Sequence, residues 1–394
     1  MRPPDIRLLG LDSFADTRAT YRWMRANAPV YFDESNGVWG VATYNHVLTV
    51  ERDVATFSNA GGSRPDTGPL PWMIDMDAPD HSKRRKLVSS GFTPGRVRAN
   101  AEHLEQLCDE LIDRVCERGE CDIVADLAAP LPVIVIGDML GIDPTDRADL
   151  LRWSDDLIAS LAGEPEHVEV AAAAFTEYQE YALAMVAARR EEPADDLFTV
   201  LAHAEVDGEC LADGELVFET LLLLVGGDES TRHVLSGGIE ALLTNPSEQA
   251  KLVADPEILP LAVEEMLRWV SPIKSMNRTA TSEVKLGGVT LHTDDKVLVL
   301  YESANFDEAH FDEPEHFQVD RHPNDHLAFG FGPHFCLGAS LARLEISTMV
   351  ARLLERLPDI ERVGTDPPAR FMGAITELPV CFTPTAPVLA SSSN

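Results

Sequence analysis

Cys336 is the residue whose neighbours most clearly suggest chemistry. It ends the run Ala328-Phe329-Gly330-Phe331-Gly332-Pro333-His334-Phe335 and is followed by Leu337-Gly338. Glycines at 330 and 332 let the backbone turn tightly and approach a flat ligand closely, and Pro333 restricts the loop. The stripe Leu337, Leu341, Leu344, Val350, Leu353 and Leu357 predicts a helix that begins just after Cys336. Free N–H groups and the dipole at such a helix start favour a thiolate. The six cysteines, at 108, 116, 121, 210, 336 and 381, form no Cys-x-x-Cys pair, so zinc ribbons and thioredoxin-like sites are disfavoured. A thiolate without a second cysteine suits a metal centre with one protein ligand, and axial ligation of haem iron is the main example. The other five cysteines read as small buried hydrophobes in a reducing compartment.

A second group lies inside an apolar helix. Residues 215–243 follow Asp213-Gly214 and stop before Asn245-Pro246, as capping rules expect. The centre, Leu221-Leu222-Leu223-Leu224-Val225, is apolar all round, which places the helix in the interior. At 1.5 Å per residue it is roughly 40 Å long. The pattern breaks at Gly226-Gly227-Asp228-Glu229-Ser230-Thr231. Paired glycines weaken a helix, and burying an acid and an alcohol is costly. A packing contact with a solvated face accounts for Arg232 and His233, but less well for residues directly after five apolar ones.

The elements around these groups read as mainly helical with a small β part. Residues 21–27 predict a helix, 38–43 a strand, and 61–72 a Gly/Pro-rich loop ending in an aromatic. From His81 to Arg356 helices dominate, with turns at Gly163–Pro165, Asn245–Pro246 and Ser271–Pro272 and strands near 284–301. Residues 302–335 lack periodicity, and a loop that long is usually functional. The tail from 385 to 394 reads as disordered.

Across 394 residues, 32 basic and 66 acidic side chains give a formal charge of −34, which disfavours nucleic acid as a partner. The 45% hydrophobic content fits a globular chain. No apolar run reaches the roughly 18–20 residues of a membrane span; the stretch 127–136 is interrupted by Pro130 and Pro132. The N-terminus lacks an apolar signal region, which points to the cytoplasm.

Phe329-x-x-Gly332-x-x-x-Cys336-x-Gly338 matches the haem-binding signature of the cytochrome P450 family at every fixed position. The resemblance implies that family's mainly α fold as a single domain over 1–394, with a haem b ligated axially by the Cys336 thiolate. Gly226-Gly227-Asp228-Glu229-Ser230-Thr231 resembles the family's oxygen-activating segment. By that match Gly226 and Gly227 open a groove for dioxygen, and Glu229 and Ser230 relay protons. Serine replaces the usual threonine. Glu265-Met266-Leu267-Arg268 with Arg321 resembles the Glu-x-x-Arg network that holds the loop beneath the haem. The resemblance further implies that His81, Arg85, Arg278 and His334 meet the haem propionates, with Phe329 against the cofactor. For each of these alone, a solvated surface residue is the simpler reading.

Longer similarities, at 21–27, 57–62, 116–122 and 227–233, resemble the bacterial cholesterol side-chain hydroxylases. They imply oxidation of the terminal side-chain methyl of cholesterol or cholest-4-en-3-one, and onward oxidation to the acid. Trp72, Met73, Leu221, Leu224, Val225, Ile273 and Met276 are candidate walls of an apolar funnel. Electrons would come from a ferredoxin and its reductase. Residues 80–98 hold six cations, Lys83, Arg84, Arg85, Lys86, Arg96 and Arg98, against Asp80, and are the expected docking patch. Two alternatives are a fatty-acid or terpenoid hydroxylase and a haem-thiolate sensor without turnover.

Overall fold

The computed structural model describes residues 6–10, 17–159, 165–206, 208–371 and 373–389. The turn expected at Gly163–Pro165 falls largely outside them. The long apolar helix runs Asp213–Thr244, with Glu215 accepting from the Ala212 N–H at 2.8 Å to close its first turn. Leu216, Val217, Leu223, Leu224, Val234, Leu235 and Ile239 are all buried, so the segment crosses the main core. Around it pack the helices Pro130–Leu140, Arg147–Ala159, Pro165–Glu191, Leu259–Val270 and Ala339–Arg356.

The β part is a five-stranded sheet in the order Val30–Asp33, Val38–Val41, Lys296–Leu300, Ser275–Ala280, Phe57–Ser58. Val38–Val41 and Lys296–Leu300 pair in parallel; the other neighbours are antiparallel. Val41, Val297, Val299 and Phe57 point into a second apolar cluster on this sheet. The hairpin Val284–Leu286/Val289–Leu291 accounts for the remaining strand signal before 301.

Three expectations change. Pro130 and Pro132 do not interrupt the apolar run: a π-type turn at Ile123–Ala128 leads into a helix with Pro130 in its first turn, where the missing N–H is no loss. Ile123–Leu140 is therefore the one described helix long and apolar enough to cross a bilayer, and most of it is buried in the core. The tail is held as far as 389, because the Asp113 carboxylate accepts from the Val388 and Leu389 N–H groups at 3.1 and 3.0 Å. Only Cys108, Cys116 and Cys121 of the five structural cysteines are buried; Cys210 and Cys381 are exposed. Cys381 alternates with buried Val380 on the central strand of a small three-stranded sheet, so its side chain faces the opposite, exposed side.

Candidate functional site

The cysteine loop is built as its glycines suggest. Gly330 and Gly332 have φ of +67° and +73°. A Cβ on Gly332 would lie 3.0 Å from the Glu51 carbonyl. The Cys336 N–H returns to the Phe329 carbonyl at 2.9 Å, closing the loop on itself. Phe329 packs on the main core, and the Arg343 guanidinium lies 4.6 Å from its ring centre. The helix starts at Ala339, three residues beyond Cys336, rather than directly after it. Burial pushes the Cys336 thiol up, opposed by a bond from the Gly338 N–H and by the charges of Arg85 and Arg343.

Four cation-capable side chains converge beside this loop. His81 and Arg85 lie one turn apart on the helix Asp80–Ser89. His81 stacks on His334 with ring centres 3.9 Å apart. Arg85 Nη2 donates to the Phe335 carbonyl at 2.5 Å. Burial holds His334 down at about 3, and the nearby charges of His81, Arg278 and Arg85 act the same way. Arg278 also has a protein partner that sequence reasoning missed. Its Nη2 donates to Glu51 Oε1 at 2.7 Å, and the Tyr301 hydroxyl donates to the same oxygen at 2.9 Å. Glu51 is a lone acid in the short helix Tyr44–Arg52, and nothing in the sequence links it to residue 278.

On the long helix, partial exposure follows a stripe: Phe218, Leu222, Val225, Gly226, Glu229, Ser230 and His233. Steps of three and four put these on one face. The other faces of this stretch are mostly buried. The two glycines differ. A Cβ on Gly226 would meet nothing within 4 Å, whereas one on Gly227 would lie 3.2 Å from Ile136 Cγ1. Only Gly226 opens onto space; Gly227 is a close packing contact. Ser230 Oγ donates to the Gly226 carbonyl at 3.2 Å. Burial raises Glu229, while Arg64 and Arg232 oppose that shift. Asp228 points elsewhere, accepting from Ser154 Oγ at 2.6 Å.

The wall candidates divide along the same line. Trp72, Val225, Ile273 and Met276 keep partial exposure. Met73, Leu221 and Leu224 are buried in the main core, so they are packing residues and not open walls. Counting back four residues from Gly226 finds Leu222, which the reading from composition passed over.

The strand Ser275–Ala280 joins the two groups. Arg64 Nη1 donates to the Ser275 carbonyl at 3.4 Å, and Arg64 is the charge that most opposes the burial shift of Glu229. Three residues along, about 10 Å, Arg278 joins the cationic cluster. An open Gly226 face, a thiol, two guanidinium groups and two imidazoles suit a flat, doubly anionic, iron-bearing group: the donor set matches a haem and its propionates.

Three comparisons bear on this site. Residues 155–374 match the family model described as Cytochrome P450. The chain is 53% identical to a Steroid C26-monooxygenase of Mycobacterium tuberculosis, over 98% of this chain and 99% of that protein. Among solved structures, a Mycobacterium marinum cytochrome P450 in complex with pseudoionone superposes with a TM-score of 0.89 at 33% identity, covering 97% of this chain and all of the other. A Bacillus megaterium P450 in complex with testosterone gives 0.84 at 33% identity, over 92% and 98% of the two chains. Sequence and fold agree along almost the entire length, and this chain belongs to the cytochrome P450 family of haem-thiolate monooxygenases.

Proposed function

We propose that this protein hydroxylates the terminal methyl of a sterol side chain, with cholesterol or cholest-4-en-3-one as substrate and onward oxidation to the acid. The observation that carries the reading is the full-length identity of 53% to a Steroid C26-monooxygenase. When bound, the haem supplies dioxygen activation, to which thiolate ligation contributes.

The chain's own residues take the other roles. Cys336 provides the thiolate. His81, Arg85 and His334 meet the propionates, and Arg278 does so while shared with Glu51. Gly226, where an added Cβ would meet nothing within 4 Å, would leave room for dioxygen. Ser230 and Glu229 hold the proton that must reach the reacting oxygen; the Ser230 hydroxyl donates to the Gly226 carbonyl of its own helix and lies on the partly exposed stripe. Trp72, Leu222, Val225, Ile273 and Met276 line an apolar passage, which excludes water and grips a molecule with few polar groups. The whole chain forms one domain around the cofactor, and its place is the cytoplasm.

The electron donor in this reading is a ferredoxin, reduced by its own reductase. The basic patch is smaller than the sequence suggested. Arg84 is buried between carboxylates and Arg96 pairs with Asp195 at 3.1 Å. Lys83, Lys86 and Arg98 remain exposed and form the docking face.

Spectral titration of the haem-loaded protein with a panel of sterols, fatty acids and terpenoids tests the substrate. A spin-state shift with cholest-4-en-3-one is expected. A shift with fatty acids or terpenoids and none with any sterol overturns the reading. Terpenoid hydroxylation is the second reading, favoured by the pseudoionone complex of the relative.

A further inference from the structure

The loop between Asn59 and Asp77 carries Trp72, and it is stiff. Asp75 is buried and acts as its hub, accepting from the Ser63 N–H at 2.7 Å, the Leu70 N–H at 2.9 Å and Trp72 Nε1 at 2.8 Å. A loop tied internally in this way moves as a unit, so its position depends on how its two sides are attached. On the sheet side the attachment is Asn277, whose N–H donates to the Ser63 carbonyl and whose side chain donates to the Gly62 carbonyl, both at 2.9 Å. On the side of the long helix it is Arg84.

Arg84 Nη1 donates to the Pro71 carbonyl at 3.3 Å and to Glu219 Oε1 at 3.0 Å. Its Nη2 is paired with Glu215. Glu219 is fully buried and Arg84 nearly so. The guanidinium fork thus joins three elements: the helix Asp80–Ser89, the loop at Pro71, and the long helix at Glu215 and Glu219. Glu219 lies one residue from Phe218 on the exposed stripe, and the Met73 N–H points at its carboxylate. Burial pushes Glu219 up to about 7 against the pull of Arg84, and Glu215 adds to the rise. A buried pair of this kind does little for net stability, since desolvation offsets much of the attraction, but it does enforce geometry.

We propose that Arg84 is a positioning residue for substrate: through Glu215 and Glu219 it sets the distance between the Trp72 loop and the stripe on the long helix, and so the width of the passage that grips the sterol. The inference rests on the passage assigned under the proposed function. It assigns Arg84 no contact with the haem, although its neighbour Arg85 is placed there.

The test uses haem-loaded protein with Arg84→Met, Arg84→Lys and Glu219→Gln. In Arg84→Met the Kd for cholest-4-en-3-one should rise about tenfold, the low end of what a changed apolar pocket contact costs. Imidazole, a small ligand for ferric haem that does not need the wall, should bind within about twofold of wild type. Arg84→Lys keeps one ion pair but not the fork, and should recover part of the sterol affinity. KM should move and kcat should hold. Hydrogen exchange of the amides from Leu70 to Met76 should accelerate in Arg84→Met. If sterol and imidazole affinities fall together, or if neither affinity nor exchange changes, the proposal is overturned. Should wild type bind no sterol, the substrate reading fails by itself, and the exchange measurement still decides whether Arg84 holds the loop. Glu219→Gln, which keeps the shape of the side chain, covers the case in which Arg84→Met does not fold.

Discussion

Glu265 and Arg321 lie 56 positions apart and meet at 2.9 Å, both withdrawn from solvent. The same carboxylate takes two bonds of 2.8 Å from Arg268, one of 3.0 Å from the Gln318 N–H and one of 3.2 Å from Asn324. Arg268 goes on to the carbonyls of Asn305 and Pro314, and Arg321 to those of Asp312, Glu313 and His316. One acid thus organises a coil segment that has no ladder of its own. Removing the carboxylate leaves two guanidinium groups buried without compensation. Glu265→Ala should cost about 3–5 kcal/mol of stability, read from the urea midpoint, and should lower haem retention. A loss under about 1 kcal/mol would show that the network is dispensable.

Ser230 gives a prediction about coupling. Without a γ-methyl its hydroxyl turns freely between the Gly226 carbonyl and the open face. Ser230→Ala should keep sterol binding and lower product formed per NAD(P)H consumed, with the balance appearing as free hydrogen peroxide. Ser230→Thr should raise that ratio. Unchanged stoichiometry in Ser230→Ala would remove the residue from the proton relay.

Stability should fall on both sides of mildly acidic pH. Burial raises Glu219 to about 7 and Glu345 to about 8 from an ordinary 4.5, so the folded state holds these protons more tightly than the unfolded chain does. Arg84 and Glu215 act on the first; Asp228 acts on the second. That contribution is complete below 4.5 and is lost as pH rises through 7 to 8. Glu264 behaves oppositely. Bonds from Arg343 and His326 hold it down at about 2, so its contribution is present above 4.5 and lost as pH falls towards 2. Urea midpoints from pH 4 to 8 should decline towards the alkaline end, and Glu345→Gln should flatten that decline. An identical slope in the variant would refute the assignment.

Reversing the charge at Lys83 and Lys86 tests the docking face. Lys83→Glu with Lys86→Glu should slow reduction by ferredoxin about tenfold or more at low ionic strength, and the difference should shrink as salt is added. Equal rates for both proteins at low salt would move the donor elsewhere.

Much of this site was legible because its parts lie close together in the chain. The segment 329–338 carries its own turn chemistry, and the bounds of the long helix, expected at 215–243 and found at 213–244, follow from capping and the Asn245-Pro246 stop. What escaped were partners joined only by the fold. Glu51 meets Arg278 across 227 positions, and Arg84 meets Glu219 across 135. No local pattern marks either acid. The choice of Leu221 over Leu222 came from composition, which cannot tell one leucine of a run from the next; only the phase relative to Gly226 separates them. The reading of Arg84 as part of the docking patch failed for the same reason, since its two carboxylate partners lie on another helix.

The two neighbouring glycines separate engineering freedom from architectural constraint. At 227 an added Cβ would press on the Ile136 side chain at 3.2 Å, so any residue there requires Ile136 to give way. At 226 an added methyl would strain nothing and would stiffen the helix by about 0.5–1 kcal/mol. Its cost would be volume on the open face of the long helix. On the proposed reading of this face, alanine at 226 offers a way to tune which carbon of a bulky substrate is oxidised while leaving the scaffold intact.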